Sequence, residues 1–299
     1  MSELKAFRDQ FIEKVSQTLV LSEEKVELML AAWFCRKNIL LEGPPGTGKT
    51  TLCKILGSYS NSFKRVQMTS DVSPSDIIGF EVMKKGEQFQ LEFQKGPVFS
   101  ELLMVDEVNR AMPKTQSALL EAMQEKQVSL AGERHVLDQN FMVIATRNPF
   151  DMDGTFLMPA SQRDRFSLCL SFEYARGEEL KKLLRLNLEN EKEVNEINAK
   201  LQAPVYKNDL HIDEEWLRVI TELQESMKQE ESLSEQSPRA FLDWIELASC
   251  LSKLRGEEHL STKCLEVLLN PVFIHRLDPF EKEEAMKKLT DLFLKSIGR

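Results

Sequence analysis

The stretch Gly43–Thr50, GPPGTGKT, constrains this chain more than any other, because an apolar run, NILL (38–41), leads into it and the helix-forming run TTLCKILGSYS follows it. A loop with the pattern GxxxxGK[ST] between a strand and a helix cradles phosphate. Its glycines let backbone N–H groups turn inward, and the start of the helix adds a positive dipole. Gly43, Pro44, Pro45, Gly46, Thr47, Gly48, Lys49, Thr50 and Thr51 are therefore the candidate nucleotide-binding residues. Lys49 is expected to reach the β- and γ-phosphates, and the Thr50 hydroxyl to ligate magnesium. A plain Gly/Pro turn accounts for less, since every specified position and both flanks agree.

A strand–loop–helix unit needs neighbours, and the chain supplies them. Further short apolar runs, RVQM (65–68), LLMVD (102–106), FMVIA (141–145) and LCLSF (168–172), alternate with helical patterns. That order predicts a parallel sheet with helices on both faces. Ahead of it, Phe7, Phe11, Val15 and later Val26, Leu28 and Leu30 recur at helical spacing, interrupted near Ser22 by a capping-type SEEK, so two helices lead into the first strand. GFEVMKKG with EQFQLEFQKG, and QVSLAGERHVLD around Gly132, alternate polar and apolar residues and predict two projecting hairpins. After about residue 173 only long amphipathic helical patterns remain, which predicts a second, helical domain.

LLMVDEVNR places Asp106 and Glu107 at the end of an apolar strand, at the carboxyl edge where such sheets meet ligand. Asp106 suits a magnesium ion, held through its water shell, and Glu107 suits the polarisation of an attacking water. The bland alternative is a solvated acidic turn. VIATRNPF ends another strand on Asn148, placed to orient that water or touch the γ-phosphate; alone, it reads as an Asn-Pro turn. QRDRFSL supplies Arg163 and Arg165, and a rigidly held arginine there can stabilise transition-state charge in a neighbouring subunit, against the plainer reading of a salt bridge with Asp164. SPRAFLDW reads as a helix start capped by Ser237, with Arg239 in its first turn, which is either simple capping or a report of the γ-phosphate to the helical part.

The 299 residues carry a net charge of −9, so nucleic acid meets overall repulsion, and no basic block offsets it. Cys35, Cys53, Cys169, Cys250 and Cys264 form no CxxC pair, which argues against a disulfide framework or a zinc site. No stretch approaches the roughly 20 uncharged residues of a membrane span, and the expected location is the cytoplasm.

Taken together, LLEGPPGTGKT, DVSPSDIIGFEV, the long run KGPVFSELLMVDEVNRAMPKTQSALLEAMQEKQVSLAGE, VIATRNP, DGTFLMPASQRDRFSL, SPRA and NPVFIHRL resemble the AAA+ superfamily and, within it, the MoxR family, from about residue 10 to 280. The resemblance implies an α/β fold, a P-loop NTPase with a parallel five-stranded sheet flanked by helices and a smaller all-helical lid. Residues 1–172 would form the nucleotide-binding domain, with a helix-two insert at about 80–95 and a pre-sensor-one hairpin at about 127–140, and residues 173–299 the lid. It implies ATP and Mg2+ as ligands, with Lys49 and Thr50 in Walker A, Asp106 and Glu107 in Walker B, Asn148 as sensor one, Arg165 as arginine finger and Arg239 as sensor two. The family's finger segment has Leu where Arg163 stands. The resemblance also implies a homo-oligomeric ring, usually a hexamer, that hydrolyses ATP as a chaperone-like remodeller or in metal-cofactor insertion, often with a von Willebrand factor A domain partner. A DNA-translocating ring of MCM type, or an ATP-gated scaffold with negligible turnover, are the competing readings. The acidic stretch from about 189 to 236 matches the family poorly and reads as a solvated face.

Overall fold

The computed structural model describes residues 3–85, 89–130, 132–151, 153–189, 203–206, 212–230, 233, 236–277 and 281–298. The tip of the first expected hairpin and nearly half of the acidic stretch lie outside the described residues. Two helices open the chain, α1 (Glu3–Ser16) and α2 (Glu23–Phe34), followed by β1 (Ile39–Glu42), α3 (Lys49–Gly57), β2 (Phe63–Gln67), α4 (Pro74–Ile78), β3 (Gly79–Lys85) and β4 (Phe89–Lys95). Next come β5 (Leu102–Asp106), α5 (Pro113–Glu125), β6 (Gln127–Leu130), β7 (Glu133–Val136), β8 (Met142–Arg147), α6 (Ala160–Arg163) and β9 (Leu168–Ser171). Every described element beyond β9 is helical: α7 (Gly177–Glu189), α8 (Glu214–Lys228), α9 (Pro238–Arg255), α10 (Thr262–Phe273) and α11 (Lys282–Ser296).

The five apolar runs become one parallel sheet in the order β2-β5-β8-β1-β9. Alternation along each strand divides the core in two. Ile39, Leu41, Met104, Ile144 and Leu170 face one apolar cluster, built with α1, α2 and α3. Leu40, Leu103, Val105, Ala145 and Cys169 face the other, closed by α4 and α5. Neighbouring residues on one strand thus serve opposite faces, which is why the central strands read as continuous apolar runs. β2 departs from that expectation: Lys64 and Arg65 are exposed because the strand lies at the sheet's edge.

Both hairpins form, β3 with β4 and β6 with β7. They touch where the Phe93 ring stacks on His135, 4.2 Å between centroids. The Ser22 hydroxyl caps α2 by accepting the Lys25 amide at 3.4 Å. Four of the five cysteines are buried and Cys35 is half-buried, all as free thiols. Among the described residues no helix is long and apolar enough to cross a membrane.

The C-terminal helices share the apolar cluster of the first face instead of enclosing a separate one. α9 lies against α1 and α2, and its Trp244, fully buried, donates its indole N–H to the Leu265 carbonyl at 2.8 Å. This docking decides where the first turn of α9 lands, beside the residues that lead into β9.

Candidate active site

At the carboxyl edge of the sheet the chain leaves β1 in a loop only glycine can build at three points. Gly43, Gly46 and Gly48 hold φ of 149°, 79° and 86°. A Cβ on Gly43 would lie 2.2 Å from the Phe172 carbonyl oxygen, and one on Gly48 2.8 Å from the Leu19 side chain. Among the described residues the amides of Gly46, Thr47 and Gly48 donate to no backbone carbonyl, and α3 starts directly behind them at Lys49. This is a concave nest of N–H groups with a helix dipole behind it, which suits phosphate oxygens. Lys49 Nζ donates to the carbonyls of Gly43 (2.8 Å) and Pro44 (2.6 Å) and to Thr47 Oγ1 (3.3 Å). Burial lowers its pKa, while the nearby Asp106 and Glu107 carboxylates oppose that fall. The ammonium therefore already senses the two acids from the neighbouring strand.

Asp106 ends β5 and is buried. Its Oδ2 accepts from Arg65 Nε at 2.6 Å and its Oδ1 from Thr146 Oγ1 at 3.1 Å. Glu107 follows with a left-handed backbone, φ 54° and ψ 51°, unusual for a residue with a side chain and a mark of a conformation that its surroundings impose. Its amide donates to Thr146 Oγ1 at 2.9 Å. Its Oε2 takes Gln67 Nε2 at 2.8 Å and Arg110 Nε at 3.0 Å, and Arg110 is also paired with Asp151. Glu107 is thus held by two donors at the rim. Thr146, Arg65, Gln67 and Arg110 were not among the residues expected from sequence. Thr146 is a hydroxyl inside a buried strand, and Arg65 and Gln67 are two apart on β2, with Gln67 in register with Asp106. Those are the signals that could have marked them.

Asn148 lies just past β8 at the same edge, with Oδ1 accepting the Phe150 amide at 3.2 Å in a local turn. A hydroxyl at Thr50 and a carboxylate at Asp106 are hard oxygen donors of the kind magnesium takes, with substrate phosphates and water completing its shell.

The two arginine motifs lie elsewhere. Arg163 is buried in α6, and Asp164 pairs with Arg276 Nε at 2.8 Å. Ser237 occupies the N-cap position of α9 without capping it; its hydroxyl donates to Asp164 at 3.0 Å. The docked helical part thus gives the Ser237 hydroxyl a charged acceptor, and the hydroxyl donates to it instead of accepting from the amides of the first turn. Arg276 Nη2 also binds Asp243 Oδ2 at 3.2 Å, and Asp243 Oδ1 takes Lys37 Nζ at 2.9 Å. Close by, buried His275 gives its Nε2–H to the Phe166 carbonyl at 2.7 Å, and burial with the adjacent Arg276 keeps the ring neutral. This network sets the start of α9 against the lead-in to β9, so Arg165 and Arg239 line one cavity of about 280 Å³. Asn38 and Ser167, the residues before β1 and β9, line it too, so it lies at the amino edge of the sheet. Four residues of β1, about 13 Å of strand, separate that edge from Gly43.

Comparison with known proteins accords with this geometry. Residues 38–168 match the model of the "ATPase family associated with various cellular activities (AAA)". The chain is 32% identical to Chaperone MoxR1 of Mycobacterium tuberculosis over 287 residues, 90% of this chain and 75% of that protein. It is also 32% identical to Protein MoxR of Methylorubrum extorquens over 173 residues, 56% of this chain and 50% of that relative, so it spans half that relative's length. The crystal structure of a provisionally assigned ATPase from Cytophaga hutchinsonii superposes with a TM-score of 0.80 at 28% identity, covering 98% of this chain and 96% of that one. With the phosphate cradle, the strand order and a third of its residues shared across most of a MoxR protein, the chain belongs to the MoxR family of AAA+ ATPases.

Proposed function

We propose that the chain binds ATP with magnesium, hydrolyses it at sites shared between copies in a ring, and uses the cycle as a chaperone-like remodeller of a protein partner. The observation that carries this reading is the separation of two half-sites. Lys49, Asp106, Glu107 and Asn148 stand at the carboxyl edge of the sheet, while Arg165 and Arg239 stand at the amino edge, in the cavity. One copy cannot bring both groups to the same phosphate; two copies, head to tail, can.

In this reading the amides of Gly46, Thr47 and Gly48 hold phosphate oxygens, and Lys49 exchanges its loop carbonyls for the β- and γ-phosphates. Thr50 and Asp106 hold the magnesium ion, which neutralises charge developing on the phosphates. Glu107, released from Gln67 or Arg110, polarises the water that Asn148 orients. Arg165 and Arg239 stabilise the transferring phosphoryl group of the neighbour's nucleotide. The hairpins and the helical part carry the movement outward. The hexameric ring size, a von Willebrand factor A domain partner and a cytoplasmic setting follow from the family resemblance and belong to the same proposal, as does the name chaperone, which the mycobacterial relative carries.

The test is steady-state ATP hydrolysis against protein concentration, with sizing in parallel. Specific activity should rise with assembly, Arg165→Ala should assemble without activity, and Glu107→Gln should bind ATP yet turn over at least about tenfold more slowly. Activity independent of concentration, or unchanged turnover in Glu107→Gln, would overturn the reading.

A further inference from the structure

We infer that Lys126 is a third cation of the half-site at the amino edge, placed to contact the terminal phosphate of nucleotide held in the neighbouring copy, beside Arg165 and Arg239. This deepens the shared-site reading above and rests on it. The cavity is lined by Arg36, Lys37, Lys126, Arg165 and Arg239, with Asp243 as its acid. Two of the five cations are already matched. Lys37 is bound to Asp243 and Glu246, and Arg36 is bound to Glu101 at 3.1 Å with its guanidinium over the Trp33 ring. Lys126, Arg165 and Arg239 form no ion pair among the described residues. Charge of one sign gathered in a cavity without its own counter-charge is what an anion site needs before its ligand arrives.

Lys126 is held in that position from three sides. It follows α5 in the left-handed conformation, φ 53°, a place where glycine or asparagine is usual. Its amide donates to the Ala122 carbonyl at 3.1 Å, and its own carbonyl accepts the Leu137 amide at 2.9 Å. Its ammonium is hydrogen-bonded to the Phe141 carbonyl and stands 5.2 Å from that ring's centroid. Lys126 lines the cavity, and one acceptor satisfies only one of its ammonium's three N–H donors, leaving two for a ligand there. A lysine that merely complemented the dipole at the end of α5 would do so from solvent. Here it is drawn in beside other cations, where burial together with Lys37 and Arg36 lowers its pKa to about 8. An incoming phosphate reverses that disadvantage.

Subunit mixing tests the assignment. Lys126→Met should lower kcat at least about tenfold, as loss of a transition-state donor does. Nucleotide affinity of the dilute, unassembled chain should stay within about twofold, since its own cradle is untouched. Lys126→Arg should retain most of the activity. In rings mixed from Lys126→Met and Lys49→Ala copies, the intact cradle of one meets the intact cationic edge of the other, so activity should exceed the sum of the two separate proteins. Arg165→Ala mixed with Lys49→Ala is the reference. If the arginine mixture regains activity and the lysine mixture does not, the Lys126 assignment is wrong while the ring reading stands. If neither regains it, the shared site falls and this inference with it. Unchanged turnover of Lys126→Met, or of Lys126→Gln should the first variant misfold, overturns the assignment directly.

Discussion

If Lys126 is kept charged for a visiting phosphate, the nucleotide-free chain should be more stable without it. Its pKa falls from 10.5 to about 8, and at about 1.4 kcal/mol per pH unit, keeping the charge at neutral pH costs about 3 kcal/mol. Replacement by methionine removes that cost but also loses the hydrogen bond to Phe141 and the contact with its ring, each worth about 1 kcal/mol. Lys126→Met should therefore stabilise the chain by about 1 kcal/mol at pH 7. The pH dependence gives a sharper signature. A lysine whose folded pKa lies below its unfolded one carries a penalty that is fully present below the folded value and fades as pH rises toward the unfolded one. Arg36, Lys37, Arg165, Arg239 and Asp243 line the same cavity, and Lys37, the other lysine there, is raised by Asp243 and Glu246 despite its burial. Urea unfolding of wild type and variant at pH 7 and pH 9.5, without nucleotide, measures the difference. The variant's advantage should shrink or reverse at the higher pH. A variant less stable than wild type at pH 7, or an advantage that does not change with pH, would refute the reasoning.

Gly43→Ala should weaken nucleotide binding at least about tenfold in a fluorescent-nucleotide titration, because the loop cannot keep its φ with a Cβ 2.2 Å from the Phe172 oxygen; wild-type affinity would show that the loop yields. Asp243→Asn should cost about 2–4 kcal/mol in chemical unfolding, since buried Arg276 and half-buried Lys37 each lose one of two acidic partners. A loss under about 1 kcal/mol would mean that the network rearranges. Gln67→Ala should raise turnover in the absence of a partner by up to about tenfold, the value of one hydrogen bond to a charged group, because Glu107 loses a restraining donor. A fall toward the level of Glu107→Gln would show instead that Gln67 orients the base.

The parts legible in the sequence are those whose chemistry needs consecutive residues. Gly43–Thr50 must be contiguous for adjacent amides to converge, and Asp106 with Glu107 must end a buried strand, so both declare themselves locally. Four of the five strands were legible for a related reason, since burial on both faces leaves uninterrupted apolar runs, while β2 carries exposed Lys64 and Arg65. Partners supplied across strands escaped. Thr146 bridges Asp106 and Glu107 only through the register of β5 with β8, and Gln67 reaches Glu107 only because β2 pairs beside β5. That β2 is an outer strand is likewise a property of the assembled sheet. Ser237 had the pattern of a helix cap, but docking brought the Asp164 carboxylate within reach of its hydroxyl, which donates there instead of accepting from the helix amides. Arg239 was recognisable as a motif residue, yet nothing near it in sequence says which edge of the sheet it serves. That depends on α9 packing against α1 and α2 and on the Asp164–Arg276–Asp243 links, contacts between segments far apart in the chain. The sequence by itself determined the cradle, its carboxylates and the strand pattern, because short-range geometry dictates them. Only the tertiary structure decided that Lys126, Arg165 and Arg239 share one cavity, because apolar burial and buried ion pairs, not sequence spacing, bring them together.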